Sequence, residues 1–181
     1  MAAYDSLSCF PDVDRTMKSL QTAPDMKAVI FSNGTHSMVS GSINNSPDLA
    51  KHAKSFEDIV VVEEVKRYKP HPDVYYHLAK KIGKDTSDEK QMEQIWVVSG
   101  NPFDIVGARA VGMNAIWVDR MGNGWQDSLV EGEKGRPTEV VKSLDKVVTS
   151  VMSAHSDELT AQWREMHGEK DESKEVPPSK A

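Results

Sequence analysis

Four short apolar runs punctuate the chain: residues 28–31 (AVIF), 59–62 (IVVV), 95–98 (IWVV) and 115–118 (AIWV). Each is too short for a helix and rich in β-branched or aromatic residues, which predicts buried strands. The segments between them carry helical spacing. Val13, Met17 and Leu20 share one face after a helix start at Pro11-Asp12, and Val74, Leu78 and Ile82 share another over residues 73–82. Ile105, Val106, Ala110 and Val111 predict a third amphipathic helix, which Gly112 closes as its C′ residue. A short helix is expected over residues 36–40, a loop over 41–47, a restart near Asp48 and a charged loop over 84–90. Residues 139–141 supply a last short strand, followed by a helix from Ser143.

Residues 95–119 organise the rest. Strand, tight polar turn, helix and strand follow one another in about two dozen residues, a βαβ unit that requires parallel strands. The whole chain then reads as α/β, a doubly wound parallel sheet of the Rossmann-like kind. In open parallel sheets ligands are handled at the carboxyl ends of the strands. That rule singles out Ser99, Asn101 and Asp104, then Ser32 and Asn33, and the turn-rich stretch 121–124 as a loop on the same side.

Composition narrows the class. A net charge of −6 with no block of Lys or Arg argues against a nucleic-acid partner. One cysteine, Cys9, rules out an internal disulfide framework and suits a reducing compartment. Residues 1–10 lack the basic start and apolar centre of a signal peptide, and no run is long enough to span a membrane. A cytoplasmic protein is expected. The charge-rich tail at 168–181, with Pro177-Pro178, reads as disordered.

Each polar cluster has two readings. Ser32-Asn33-Gly34 offers a hydroxyl, an amide and close backbone approach, the parts of an anion cradle, or it is an ordinary turn. Lys69, between Tyr68 and the stiff Pro70 and Pro72, is either a held ammonium that keeps a carboxylate ionised or a surface lysine before a helix. Asp104 either caps its helix, orients a water, or holds Lys69 across the strand ends. His71 reads as solvated, and the other histidines show no metal-ligand spacing.

Ser32-Asn33-Gly34, Tyr68-Lys69-Pro70 and Ser99-x-Asn101-x-x-Asp104, in this order, resemble the second, third and fourth motifs of the haloacid dehalogenase superfamily, and within it the L-2-haloacid dehalogenases. The resemblance runs from about residue 11 to 148. It implies a hydrolase in which an aspartate displaces halide from a short 2-haloacid and water cleaves the resulting ester. By position, Ser32 and Asn33 would bind the substrate carboxylate and halide, and Lys69 would pair with the nucleophile. Tyr75 would line the pocket, Ser99, Asn101 and Asp104 would place nucleophile and water, and Phe103 would be an apolar wall. The resemblance further implies a small-molecule carboxylate substrate, a homodimer and no cofactor. Metal-dependent phosphatases of the superfamily have an aspartate where this chain has Gly100, so no magnesium site is expected.

The first motif, Asp-x-x-Gly-Thr on a leading strand, has no counterpart in the sequence. The core is therefore expected to be incomplete at its N-terminus, with residues 1–10 a remnant of the cap, 11–155 a partial core and 156–181 a helix end with the tail. A truncated dehalogenase, inactive by itself, is the first expectation. A non-catalytic module binding a small anion is the alternative, and a metal-dependent phosphatase the third. Two strands should lack a neighbour, and either pair directly or have the gap filled by another chain.

Overall fold

The protein is described by a computed structural model covering residues 8–23, 25–128 and 130–167, with side chains described to residue 157. Residues 1–7 of the expected cap remnant and the tail at 168–181 lie outside the described residues. Two compact units are present, Met1–Val148 and Thr149–Ala181. The first carries all the strands and the candidate site. The described part of the second continues the helix Val147–His167. No helix among the described residues is long and apolar enough to cross a membrane.

All five strands are present and all are parallel. Strands β1 (Ala28–Ser32) and β2 (Phe56–Val61) form one sheet, and β3 (Trp96–Ser99), β4 (Asn114–Val118) and β5 (Glu139–Val141) form another in that order. The direct pairing offered as one outcome does not occur, because no backbone hydrogen bond joins β1 to β3 among the described residues. Strand β4, flanked on both sides, is buried at every position, whereas β1 is only half-buried and Val98 of β3 remains 38% exposed.

The described residues form seven helices: α1 (Val13–Thr22), α2 (His36–Asn45), α3 (Pro47–Ala50), α4 (Pro72–Lys81), α5 (Glu89–Glu93), α6 (Pro102–Ala110) and α7 (Val147–His167). Two of them correct the sequence reading. The expected loop at 41–47 is helical as far as Asn45, because burying Ile43 outweighs the modest helix cost of one glycine and two asparagines. The expected loop at 84–90 ends early, because Asp88 caps α5 by accepting from the backbone N–H groups of Lys90 and Gln91. On α6, Ala108 rather than Ala110 faces the core, and Ala110 is exposed. That helix ends as its glycine predicts: Gly112 has φ +85°, and the Gly112 and Met113 N–H groups donate to the Arg109 and Ala108 carbonyls.

The core gathers Tyr75, Leu78 and Ala79 of α4, Ile105 and Ala108 of α6, and Val60, Val97, Ala115 and Trp117 from the sheets. Tyr75 is fully buried because Gly107 leaves room for its ring; a Cβ at 107 would collide with the phenol. Elsewhere in the unit Asp12 does not cap α1. Its carboxylate instead receives both Arg120 nitrogens, at 2.6 and 3.1 Å, together with the Ser143 hydroxyl and the Leu144 N–H, each at 2.8 Å. The Arg120 guanidinium also lies over the Phe10 ring, 4.0 Å from its centroid. Those donors, Arg120 foremost, hold the Asp12 carboxyl down at about 2.

Two stability measurements follow. Gly107→Ala should lose about 2 kcal/mol in urea denaturation, because Tyr75 cannot yield without breaking its packing. A carboxylate with a lowered folded-state pKa adds stability above its unfolded value and loses it as pH falls. Wild type should therefore lose up to about 2 kcal/mol between roughly pH 4 and 2 that Asp12→Asn does not lose. Parallel acid profiles for the two proteins would contradict this account of Asp12.

Candidate active site

Parallel strands place their carboxyl ends on one side, and the polar clusters follow those ends directly. Ser32 closes β1, Lys69 follows β2, and Ser99 closes β3 just ahead of α6. Lys69 reaches inward, its side chain only 10% exposed, and its Nζ lies 3.0 Å from Asp104 Oδ1. The same ammonium donates to the Phe31 carbonyl at 3.2 Å and stands 4.6 Å from the Phe31 ring centroid. Lys69 is thus a held cation, and the peptide bond to Pro70 behind it is cis.

Asp104, at 6% side-chain exposure, holds Lys69, as one of its three readings has it. Its Oδ2 accepts the Ser99 hydroxyl at 2.7 Å, and Ser99 Oγ in turn accepts the Asn101 N–H at 3.0 Å. The contact to Lys69 is an ion pair without hydrogen-bond alignment, so Oδ1 has no hydrogen-bond donor. One carboxylate thereby fixes the Ser99–Asn101 turn and Lys69 together.

On the other strand end, Asn33 Oδ1 accepts the Lys69 N–H at 2.8 Å, which leaves the amide nitrogen as a donor. Ser32 Oγ accepts the Gly34 N–H at 3.0 Å and keeps its own O–H as a donor. Tyr75, expected on the pocket wall, lies beneath the site instead. It is fully buried, its ring meets Phe31 edge-to-face at 5.4 Å, and its hydroxyl donates to the Asp104 carbonyl at 3.2 Å. Burial, and then the Asp104 charge, raises the Tyr75 pKa, so the hydroxyl stays protonated as that hydrogen bond requires. Phe103 is 40% exposed and Asn101 is also exposed, both at the start of α6. His71 caps α4 with its ring nitrogen, as a solvated residue does.

Two groups escaped the sequence reading. Phe31 looked like ordinary strand core, yet it touches Lys69 twice. Asp119, buried at the end of β4, accepts the N–H groups of Gly122, Asn123 and Gly124 and so shapes the loop on the site's side. An aspartate at a strand end followed by glycines was the available signal for it. Open grooves of about 260 Å³ beside His36 and 370 Å³ beside His77 include neither Lys69 nor Asp104.

Known proteins resemble this chain in sequence and fold. Residues 2–118 match the family model described as haloacid dehalogenase-like hydrolase. The haloacetate dehalogenase H-2 of Moraxella sp. (strain B) is 32% identical over 119 residues, 66% of this chain and 48% of its own length. An (S)-2-haloacid dehalogenase of Pseudomonas fluorescens is 30% identical over 142 residues, 78% of this chain and 56% of its own. The chain thus spans about half the length of the curated relatives it matches. Among solved structures, a dehalogenase described with an intermediate complex superposes with TM-score 0.65 at 26% identity, covering 81% of this chain and 57% of its own. The L-2-haloacid dehalogenase of Xanthobacter autotrophicus with chloropropionic acid covalently bound gives 0.66 at 24%, covering 83% and 63%, a likeness of fold.

Removing one partner of a buried pair strands the other charge, which typically costs about 3–5 kcal/mol. Lys69→Ala should therefore lower unfolding stability by about 3 kcal/mol, with part of that regained when Asp104→Asn is added. Urea denaturation of both single variants and the double variant checks this; a double-variant loss equal to the sum of the two single losses would show that the pair is not coupled.

Proposed function

The chain belongs to the haloacid dehalogenase-like hydrolases, and from that premise we propose that it carries the accessory groups of a 2-haloacid dehalogenase. The substrate class is a short 2-haloacid, a reading supported by relatives that are haloacetate and (S)-2-haloacid dehalogenases. In the complete reaction an aspartate oxygen forms a bond to C2 as the carbon–halogen bond breaks, and halide leaves with the electron pair. Water then attacks the ester carbonyl, releasing the 2-hydroxy acid and regenerating the carboxylate.

The observation that carries this reading is the position of Lys69, a nearly buried ammonium at the carboxyl ends of two parallel sheets that share no hydrogen bonds. A cation there keeps a neighbouring carboxylate ionised at neutral pH. Asp104 is not the nucleophile in this proposal, since it is buried and committed to Ser99 and Lys69. The nucleophile comes from outside the described residues, and these residues alone are inactive. Ser32 O–H and the Asn33 amide are the donors for the substrate carboxylate and halide. Ser99, Asn101 and Asp104 place nucleophile and water, with Phe103 as the apolar wall. Gly100 argues against a metal-dependent phosphatase, and among the described residues no group of three His, Cys, Asp or Glu side chains gathers. A cytoplasmic location and a homodimer complete the proposal.

The second reading, a small-anion-binding module, is favoured by the same Ser32 and Asn33 donors standing beside Lys69 with no available nucleophile among the described residues.

Chloride release from 2-chloropropionic acid by the 181-residue chain is the test, and none is expected. Turnover that Lys69→Ala abolishes would overturn the claim of inactivity. The intact mass of the native protein separates the two readings. A mass above 20.1 kDa, with a peptide containing Asp-x-x-Gly-Thr, supports the hydrolase, and a mass of 20.1 kDa transfers the proposal to the binding module.

A further inference from the structure

Phe31 supplies two of the three contacts that hold the Lys69 ammonium. Its carbonyl accepts from Nζ at 3.2 Å, and its ring lies 4.6 Å from Nζ at the centroid. Asp104 Oδ1, at 3.0 Å, is the third. The ring is itself fixed. It packs edge-to-face on Tyr75, which is fully buried and hydrogen-bonded to the Asp104 carbonyl. Lys69, Phe31, Tyr75 and Asp104 therefore form a closed circuit that begins on β1, passes through α4 and returns from α6.

A lysine ammonium at 10% exposure has given up most of its water, and something must replace that solvation. The Asp104 oxygen offers charge without hydrogen-bond alignment. The negative face of an aromatic ring offers attraction that needs no precise donor angle, and it is strongest where water is excluded. Leucine, valine or isoleucine would serve the strand equally well but could not provide this. We infer that Phe31 is a positioning residue for Lys69, holding the ammonium between the two sheets through its ring. The inference concerns how Lys69 is held, and it stands whether or not the complete protein releases halide.

The experiment needs no turnover. In the folded chain the Lys69 ε-methylene protons should resonate upfield of the usual lysine position, because they lie near the face of the Phe31 ring. Acetic anhydride labelling, read peptide by peptide, measures how firmly the amine is held, with Lys27 and Lys84 as internal references. Phe31→Leu should abolish the upfield shift and speed Lys69 labelling by about tenfold relative to those references. Phe31→Tyr keeps the ring face and should stay within about twofold of wild type. A purely packing role for Phe31 would not separate these two variants in this way. Wild-type ε-methylene protons at the ordinary lysine position would overturn the proposal outright, even if Phe31→Leu failed to fold. So would Phe31→Leu labelling at the wild-type rate, or Phe31→Tyr labelling like Phe31→Leu.

Discussion

The Lys69–Asp104 ion pair is the constraint on which the candidate site depends. Both side chains are nearly buried, so each has lost its hydration and neither can be left alone. The surrounding residues offset that loss in pieces. Ser99 donates to the carboxylate, the Phe31 carbonyl accepts from the ammonium, and Asn33 accepts the Lys69 backbone N–H. Because these groups come from β1, β3, the segment after β2 and the first turn of α6, a single charge pair fixes the relative positions of four chain segments. Tyr75 supports it from below, and Gly107 is small because Tyr75 must be there.

Charge is handled differently at two places in the unit. At the site, two opposite charges are drawn inside and leave one carboxylate oxygen without a donor. At Asp12, a carboxylate is saturated with four donors, one arginine reaching it from 108 residues away. The first arrangement holds a cation at the strand ends, and the second holds α1 to the segment around Ser143. The contrast separates a candidate chemical site from a structural clasp more clearly than burial does.

Much of this was legible in the chain. Short β-branched runs announce strands whatever their surroundings, and three polar clusters at strand ends locate Ser32, Asn33, Lys69, Ser99, Asn101 and Asp104 together. What could not be read has physical causes. Gly41, Asn44 and Asn45 look like loop residues one at a time, and only the burial of Ile43 makes their segment helical. Tyr75 sits next to Val74 on α4, and whether it faces ligand or core depends on a glycine 32 positions later on another helix. The Phe31 side chain is indistinguishable in sequence from any strand residue until Lys69 is seen above it. Asp12 and Arg120 meet across a separation that no local pattern encodes.

The strand edges tell a story about solubility. The sheets' outer strands carry acidic residues, Glu57 and Asp58 in β2 and Glu139 in β5, and such charges discourage association with other chains. Strands β1 and β3, whose sequences are AVIFS and WVVS, carry no charge at all, and among the described residues each has one edge without a partner. Unprotected apolar edges are templates for further β-pairing. Among the described residues, the strands that lack protective charge are thus the two that flank the chain's most chemically distinctive pair.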